Sequence, residues 1–432
     1  MSPSPEGNDG HSGGSGAHSA RTAAHSIAEA VARRSYGKLV ALLAMRTRDV
    51  AAAEDALAEA FAAALADWPE RGCPANPEAW LMTVARRRAI DGARHRRIGD
   101  AVSSQLAILA DEIDEHDAHA LPDRRLALLF ACTHPALDAA IRTPLMLQVV
   151  LGLEAKTIAS AFLMSPAAMT KRLVRAKHKI REAGIPFEVP EREALPGRLT
   201  AVLEAVYAAY AQGWTDPLGN DTERRDLADE ALFLAQLLVE LMPDEPETLG
   251  MLALMLFAQA RRDARRDEAG EYVPLSAQDP STWNAPMIDA ANALLRRASA
   301  FNAIGRFQLE AALQSAHVHR CQTHLPNWDE VVQLYDALLA LAASPVVAVN
   351  RALALAERDG PQAALDALEP YVDDPRLADY QPYWAARANL LAQAGAKAQA
   401  LDAYDLAIGL EQDPAVRRFL QRKRMALSVT GG

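Results

Sequence analysis

Apolar side chains recur at three- to four-residue steps along most of this chain, and the interruptions are mainly prolines and glycines. From Val50 to Trp68, residues Val50, Ala53, Leu57, Phe61, Leu65 and Trp68 fall on one stripe. That is the period of a helix burying one face. Ala and Leu dominate, aromatics are only 6%, and Val, Ile and Thr are thin, so helix formers are plentiful and strand formers few. The expected fold is all-α. At 432 residues the chain is long enough for two to four domains of ~100–200 residues each.

Cys73, Cys132 and Cys321 lie far apart and form no CxxC pair, which argues against a disulfide framework or a zinc finger. A reducing cytoplasm fits that usage. No apolar run of ~18 or more residues occurs, and the first residues are rich in Gly, Ser and His rather than basic then apolar. A secreted or membrane protein is therefore not expected. GxGxxG, Walker and HExxH patterns are missing, so no enzymatic activity and no cofactor is expected.

The net charge of -11 argues against nucleic-acid binding until it is divided by position. Residues 1–197 hold 24 basic and 24 acidic side chains, whereas residues 198–432 hold 21 and 32. The acidic excess therefore lies in the second half. Within the neutral half, Arg86, Arg87, Arg88, Arg94, Arg96 and Arg97 form one basic block, and Lys171, Arg172, Arg175, Lys177, Lys179 and Arg181 form another. Two such blocks suit phosphate contacts whatever the total charge.

Composition divides the chain further. Residues 1–22 are too polar to offset ordering entropy and read as a disordered tail. Residues 23–97 read as a helical domain with a loop from Pro69 to Pro77. Asn76, Pro77 and Glu78 supply an N-cap, a first helical residue and a first-turn carboxylate, and Trp80 follows on that helix. Residues 98–122 carry six acidic side chains, five of them between Asp111 and Asp117, and no sustained apolar period, which suggests a flexible linker. A second helical unit spans 123–186, and Pro186, Pro190 and Pro196 separate it from a helical extension over 198–432.

The second unit ends in a recognisable pattern. Glu154 to Phe162 forms a short helix, Leu163 and Met164 turn the chain, and Ser165-Pro166 caps and starts a longer one. Met169, Leu173, Ala176 and Ile180 then face inward, leaving Ala168, Lys171, Arg172, Arg175 and Lys179 outward. This reads as a helix-turn-helix whose second helix enters the major groove. Ser165, Ala167 and Ala168 lie at its approaching end, the two alanines leaving room for the groove. Arg or Lys side chains there suit base edges, whereas Lys177 and Lys179 suit phosphates.

Trp68 and Trp80, beside the first arginine block, would suit either core packing or stacking on unpaired bases. Near the C-terminus, Gly360 and Gly395 are 35 residues apart in similar surroundings, as are Leu355 and Leu391 at 36. A helix-turn-helix repeat near 34 residues is tetratricopeptide-like, placed here at about 345–412. His317, His319, Cys321 and His324 have the density of a metal site. On a helix, however, His317 and His319 point ~200° apart, and no metal is assigned.

The order of parts resembles the bacterial sigma factors of the extracytoplasmic-function class. Ala53-Glu54-Asp55-Ala56 with Glu59-Ala60-Phe61, Trp68-Pro69, Asn76-Pro77 with Ala79-Trp80-Leu81, and Thr83-Val84-Ala85-Arg86-Arg87-Arg88-Ala89-Ile90-Asp91 look like sigma region 2. Residues 124–182 look like region 4. Leu241-Met242-Pro243-Asp244-Glu245-Pro246 and Ser344-Pro345-Val346-Val347 are similar to the subgroup with a long tetratricopeptide-like extension. Tyr210-Ala211-Gln212-Gly213-Trp214 departs from that subgroup's aromatic-Asn-Glu-Gly-Tyr motif.

This resemblance implies a non-enzymatic alternative sigma factor whose partners are core RNA polymerase and promoter DNA. It places Asp55 and Glu59 on the helix that docks on polymerase, and Trp80, Arg86, Arg87, Arg88 and Arg94 at the -10 element. Ser165, Ala167, Ala168, Lys171, Arg172, Arg175 and Lys179 would read the -35 element. The extension would regulate activity or hold a protein partner. The alternative is a repeat-containing DNA-binding activator that works without replacing the sigma subunit.

Overall fold

A computed structural model describes residues 13–96, 123–162, 164–191, 193–214 and 222–429. Among them the fold is all-α, with one isolated antiparallel bridge between Arg266 and Tyr272. The chain forms two compact units, residues 1–208 and 209–432. The expected linker, 98–122, lies outside the described residues.

In the first unit, α1 (Gly13–Thr47), α2 (Val50–Arg71) and α3 (Pro77–Arg96) pack on one another. Helix α1 starts inside the stretch expected to be a tail, because extending a formed helix needs only one further hydrogen bond per residue ordered. Asp49 caps α2 by accepting from the Ala52 amide at 3.2 Å, and Pro69 sits within the helix. The expected loop therefore shrinks to 72–76. The expected stripe also shifts: Leu65 is 37% exposed, and Ala60 and Ala64 are buried in its place. Small residues on that side let the neighbouring helices approach, and helix contact decides the buried face.

The unit continues with α4 (Arg125–Cys132), α5 (Ala139–Leu151), α6 (Ala155–Ala161) and α7 (Pro166–Glu182), then α8 (Leu195–Trp214), within which the division between the units falls. The sequence suggested that residues 23–97 and 123–186 would be separate modules. Instead α1 packs on α4 and α5, and α2 on α7. At the α1–α5 crossing a methyl group on Gly37 would lie 2.1 Å from the Val150 carbonyl oxygen, so only glycine permits this approach. Arg198 of α8 donates to the Phe130 carbonyl of α4 at 2.6 Å.

The second unit contains α9 (Thr222–Leu241) and α10 (Pro246–Gln259). Helix α10 is buried along nearly its whole length, from Pro246 to Phe257, as expected of a helix that is apolar all round. After an irregular segment come α11 (Ala285–Ser299), α12 (Arg306–Thr323) and α13 (Trp328–Leu341). Glu247 of α10 accepts from the amides of Phe307 and Gln308 at 3.0 and 3.1 Å, placing a carboxylate at the start of α12.

Helices α14 (Pro345–Asp359) and α15 (Pro361–Leu368) precede the four-residue α16 (Pro375–Ala378). A second pair follows, α17 (Gln381–Gln393) and α18 (Lys397–Leu410). Gly360 and Gly395, with φ of 95° and 82°, turn the chain within the two pairs, as their matching sequence positions suggested. The final helix, α19 (Pro414–Val429), returns to the irregular segment through Arg418 and Arg422, both 2.7 Å from Glu271.

Of the suggested metal cluster, His317 lies on α12 and its Nδ1 is 2.6 Å from Arg320 Nη2. Among the described residues no group of three or more metal-binding side chains assembles. Burial, then the Arg320 and Arg261 charges, lower the His317 pKa to about 4. Below its ordinary pKa of 6.5 the unfolded chain takes up a proton that the folded one refuses until about 4. Stability should thus be full above pH 6.5 and fall by about 3 kcal/mol by pH 4. Urea unfolding at pH 7 and pH 4.5 tests this: His317→Gln should lose less stability between the two than the wild type.

Candidate nucleic-acid interface

Helix α7 is built as its sequence requires. Ser165 is extended and its hydroxyl accepts from the Ala168 amide at 3.3 Å, Pro166 takes the first helical position, and Met169, Leu173, Ala176 and Ile180 are buried. The opposite side exposes Ala167, Lys171, Arg175 and Lys179, together with Thr170, Val174 and His178. Among the described residues, Lys171, Arg175 and Lys179 form no ion pair with a carboxylate. Three such cations on a helix held by its apolar side can reach phosphates or guanine edges.

Two of the expected contacts are drawn inward. Ala168 is half-buried, and Arg172 is half-buried with Nη1 3.4 Å from the Met164 sulfur. Lys177, expected to meet phosphate, is instead drawn onto α2, and the sequence gave no sign that Arg181 would follow it. Lys177 Nζ lies 2.5 Å from Glu54 Oε2, their side chains only 12% and 13% exposed, and Arg181 Nη1 lies 3.2 Å from Asp49 Oδ2. Burial pushes the Glu54 carboxyl up, and the Lys177 ammonium opposes that rise. Burial likewise pushes up the Cys132 thiol, and the Glu54 charge adds to the shift.

On α3, Asn76 accepts from the Ala79 amide at 3.1 Å, as the capping pattern indicated. Glu78 accepts from the Ser35 hydroxyl and lies 3.9 Å from Lys38, so this first-turn carboxylate also fastens α3 to α1. Trp80 is half-buried, its ring edge-on to the buried Trp68 at 5.5 Å. Of the arginine block, Arg86 is half-buried, and Arg87 and Arg88 are exposed. Arg94 lies on α3, its side chain outside the described residues. Burial lowers the Arg46 pKa, and the nearby Arg86 charge lowers it further.

Asp55 and Glu59 are exposed on α2. Glu59 meets Arg88 at 3.4 Å, so a side chain expected to face polymerase and one expected to face DNA are adjacent. These four acidic residues thus differ in setting: Glu54 and the capping Asp49 are held by α7, while Asp55 and Glu59 are exposed, Glu59 with Arg88 beside it.

The sigma-70 region 2 family matches residues 31–98, covering the second half of α1 with α2 and α3. A family of unknown function matches residues 198–299. An uncharacterized protein of Rhizobium meliloti (strain 1021) is 38% identical over 383 residues, which is 87% of this chain and 89% of that protein. The probable RNA polymerase sigma factor RfaY of Xanthomonas campestris pv. campestris is 32% identical over 190 residues, which is 40% of this chain and 47% of that protein. No solved structure gives a significant match.

The cap at Ser165 sets how firmly α7 presents its first turn. Ser165→Ala should cost about 1 kcal/mol and speed hydrogen exchange at the Ala168 amide, with the α3 amides unchanged. Equal exchange at Ala168 in both proteins would show that the cap has no such role.

Proposed function

Because the chain belongs to the same family as the Rhizobium protein and carries a sigma-70 region 2, we propose that it works as an alternative sigma factor. It binds core RNA polymerase through the exposed acidic residues of α2, Asp55 and Glu59, and brings it to promoter DNA. Helix α3, with Trp80 and the block Arg86, Arg87, Arg88 and Arg94, meets the -10 element. Helix α7 acts as the second helix of a helix-turn-helix at the -35 element. Lys171 and Arg175 reach base edges, Lys179 meets the backbone, and Ser165 with Ala167 and Ala168 permits close approach.

The observation that carries this reading is the pairing of a region 2 match over α1–α3 with a separate capped helix whose open side is cationic. A sigma factor needs two such elements, one for each promoter element. Arg172 takes a smaller part than its position in the sequence suggested, since its guanidinium lies against Met164. The glycine-turned helix pairs α14–α15 and α17–α18 are tetratricopeptide-like, and stacked pairs of this kind offer a surface for a protein partner. The second unit, which carries the acidic excess, is the part that regulates activity.

Copurification with core polymerase followed by run-off transcription tests the proposal. The chain should hold core polymerase and start transcription only in its presence. Promoter binding by the chain alone, with no association to core, would favour the activator alternative. Arg175→Ala should weaken promoter binding by ~1–3 kcal/mol with relaxed sequence preference, whereas Lys179→Ala should weaken it evenly and lower the salt slope by about one. Arg172→Ala should have the smaller effect, and equal losses at Arg172 and Arg175 would contradict this account of α7.

A further inference from the structure

Ahead of the glycine-turned pairs, the second unit holds a cleft of about 530 Å³ between the end of α11, the connection over 300–305 and the start of α12. Its floor is apolar, with Leu309 buried and Leu295 and Ala312 half-buried. Ile304, at the rim, is 72% exposed, the highest value for a large apolar side chain among the described residues. A single exposed apolar residue is ordinary on a protein surface. Here, however, Ile304 extends an apolar wall into a concave site, where a partner's side chain would take both out of water.

The polar groups of the cleft are oriented but only partly used. Gln308 is 6% exposed, and its Nε2 donates to the Ala303 carbonyl at 2.6 Å and to Glu247 Oε1 at 3.3 Å. Two acceptors on that side fix which end of the amide is nitrogen. Its Oε1 accepts no hydrogen bond among the described residues. Across the cleft, Asn292 Oδ1 accepts from the Ser315 hydroxyl at 2.9 Å, which leaves Nδ2 to donate. One unused acceptor and one unused donor suit a peptide group, which offers both an N–H and a carbonyl.

Charge selects the kind of peptide. Residues 198–432 are acidic overall, yet between Asp289 and Glu310 the chain carries Arg296, Arg297 and Arg306 and no acidic side chain. Arg297 donates to the Pro243 carbonyl, and Arg306 pairs with Glu310 at 2.7 Å. Arg296, exposed at the cleft, has no partner for its guanidinium among the described residues. We propose that this cleft binds a segment of a partner protein in which an apolar side chain adjoins aspartate or glutamate. The apolar side chain lies over Leu309 and against Ile304, Gln308 and Asn292 hold the peptide backbone, and Arg296 meets the carboxylate.

Two other occupants fit less well. A free small molecule needs a site that encloses roughly 70–90% of its surface, whereas Arg296, Ser299, Ala303 and Ile304 leave this cleft open on one side. A side chain carried on a longer peptide needs no such enclosure, because its backbone continues over the rim. A second copy joined by two-fold symmetry would set the same basic segment against itself, and like charges oppose that pairing.

Selection of phage-displayed random dodecapeptides on the full-length chain tests this, with the enriched peptides then synthesised and titrated by fluorescence anisotropy. They should combine a large aliphatic or aromatic residue with aspartate or glutamate close by. Arg296→Glu should weaken them about tenfold and remove most of the salt dependence. Ile304→Ser should weaken them to a similar extent, about tenfold, with the salt dependence kept. Both positions are exposed, so circular dichroism should show wild-type helix content in each variant. Failure to enrich any peptide would overturn the proposal, as would enriched peptides without acidic residues or equal binding by wild type and both variants. A wild type that sediments as a dimer and becomes monomeric on Ile304→Ser would give the cleft to a second copy and overturn it too. None of these readouts involves core polymerase, so the outcome is separate from that of the sigma-factor reading.

Discussion

An ion pair removed from water, Lys177 against Glu54, joins parts of the chain that the sequence separates by more than one hundred residues. Burying two charges is tolerable only when each compensates the other, so the pair specifies one register of α7 on α2 more than it adds stability. The close crossing at Gly37 acts in the same place by shape. Together they make one packed unit from halves that composition alone would leave as two.

That packing decides which charges remain available. Of the basic side chains on α7, Lys177 and Arg181 are engaged by α2, and Arg172 lies against Met164. Lys171, Arg175 and Lys179 remain exposed. The acidic residues of α2 divide in the same way, with Asp49 and Glu54 inward and Asp55 and Glu59 outward. A charge count along the sequence therefore overstates both surfaces, and the difference is the contact between them.

The second unit follows a different logic. Two of its helix pairs, α14–α15 and α17–α18, are each turned by a glycine at positive φ, and a buried cluster that includes Val349, Ala352, Leu368 and Tyr383 runs from one pair into the next. Its charged contacts are mainly exposed. Hydrogen bonds from Arg422 and Arg418 hold the Glu271 carboxyl below its usual range, but in water a pair of this kind adds little to stability.

Much of this was legible in the sequence because it is local. The caps at Asn76 and Ser165, the inward set Met169, Leu173, Ala176 and Ile180, and the glycine turns depend on residues within a few positions of one another, where period and hydrogen-bond chemistry suffice. The exposure of Leu65, the inward placement of Arg172, the start of α1 and the joining of the two halves were not legible. Each depends on which distant surface comes to rest against a helix, and the side chains that make that choice have no fixed spacing along the chain.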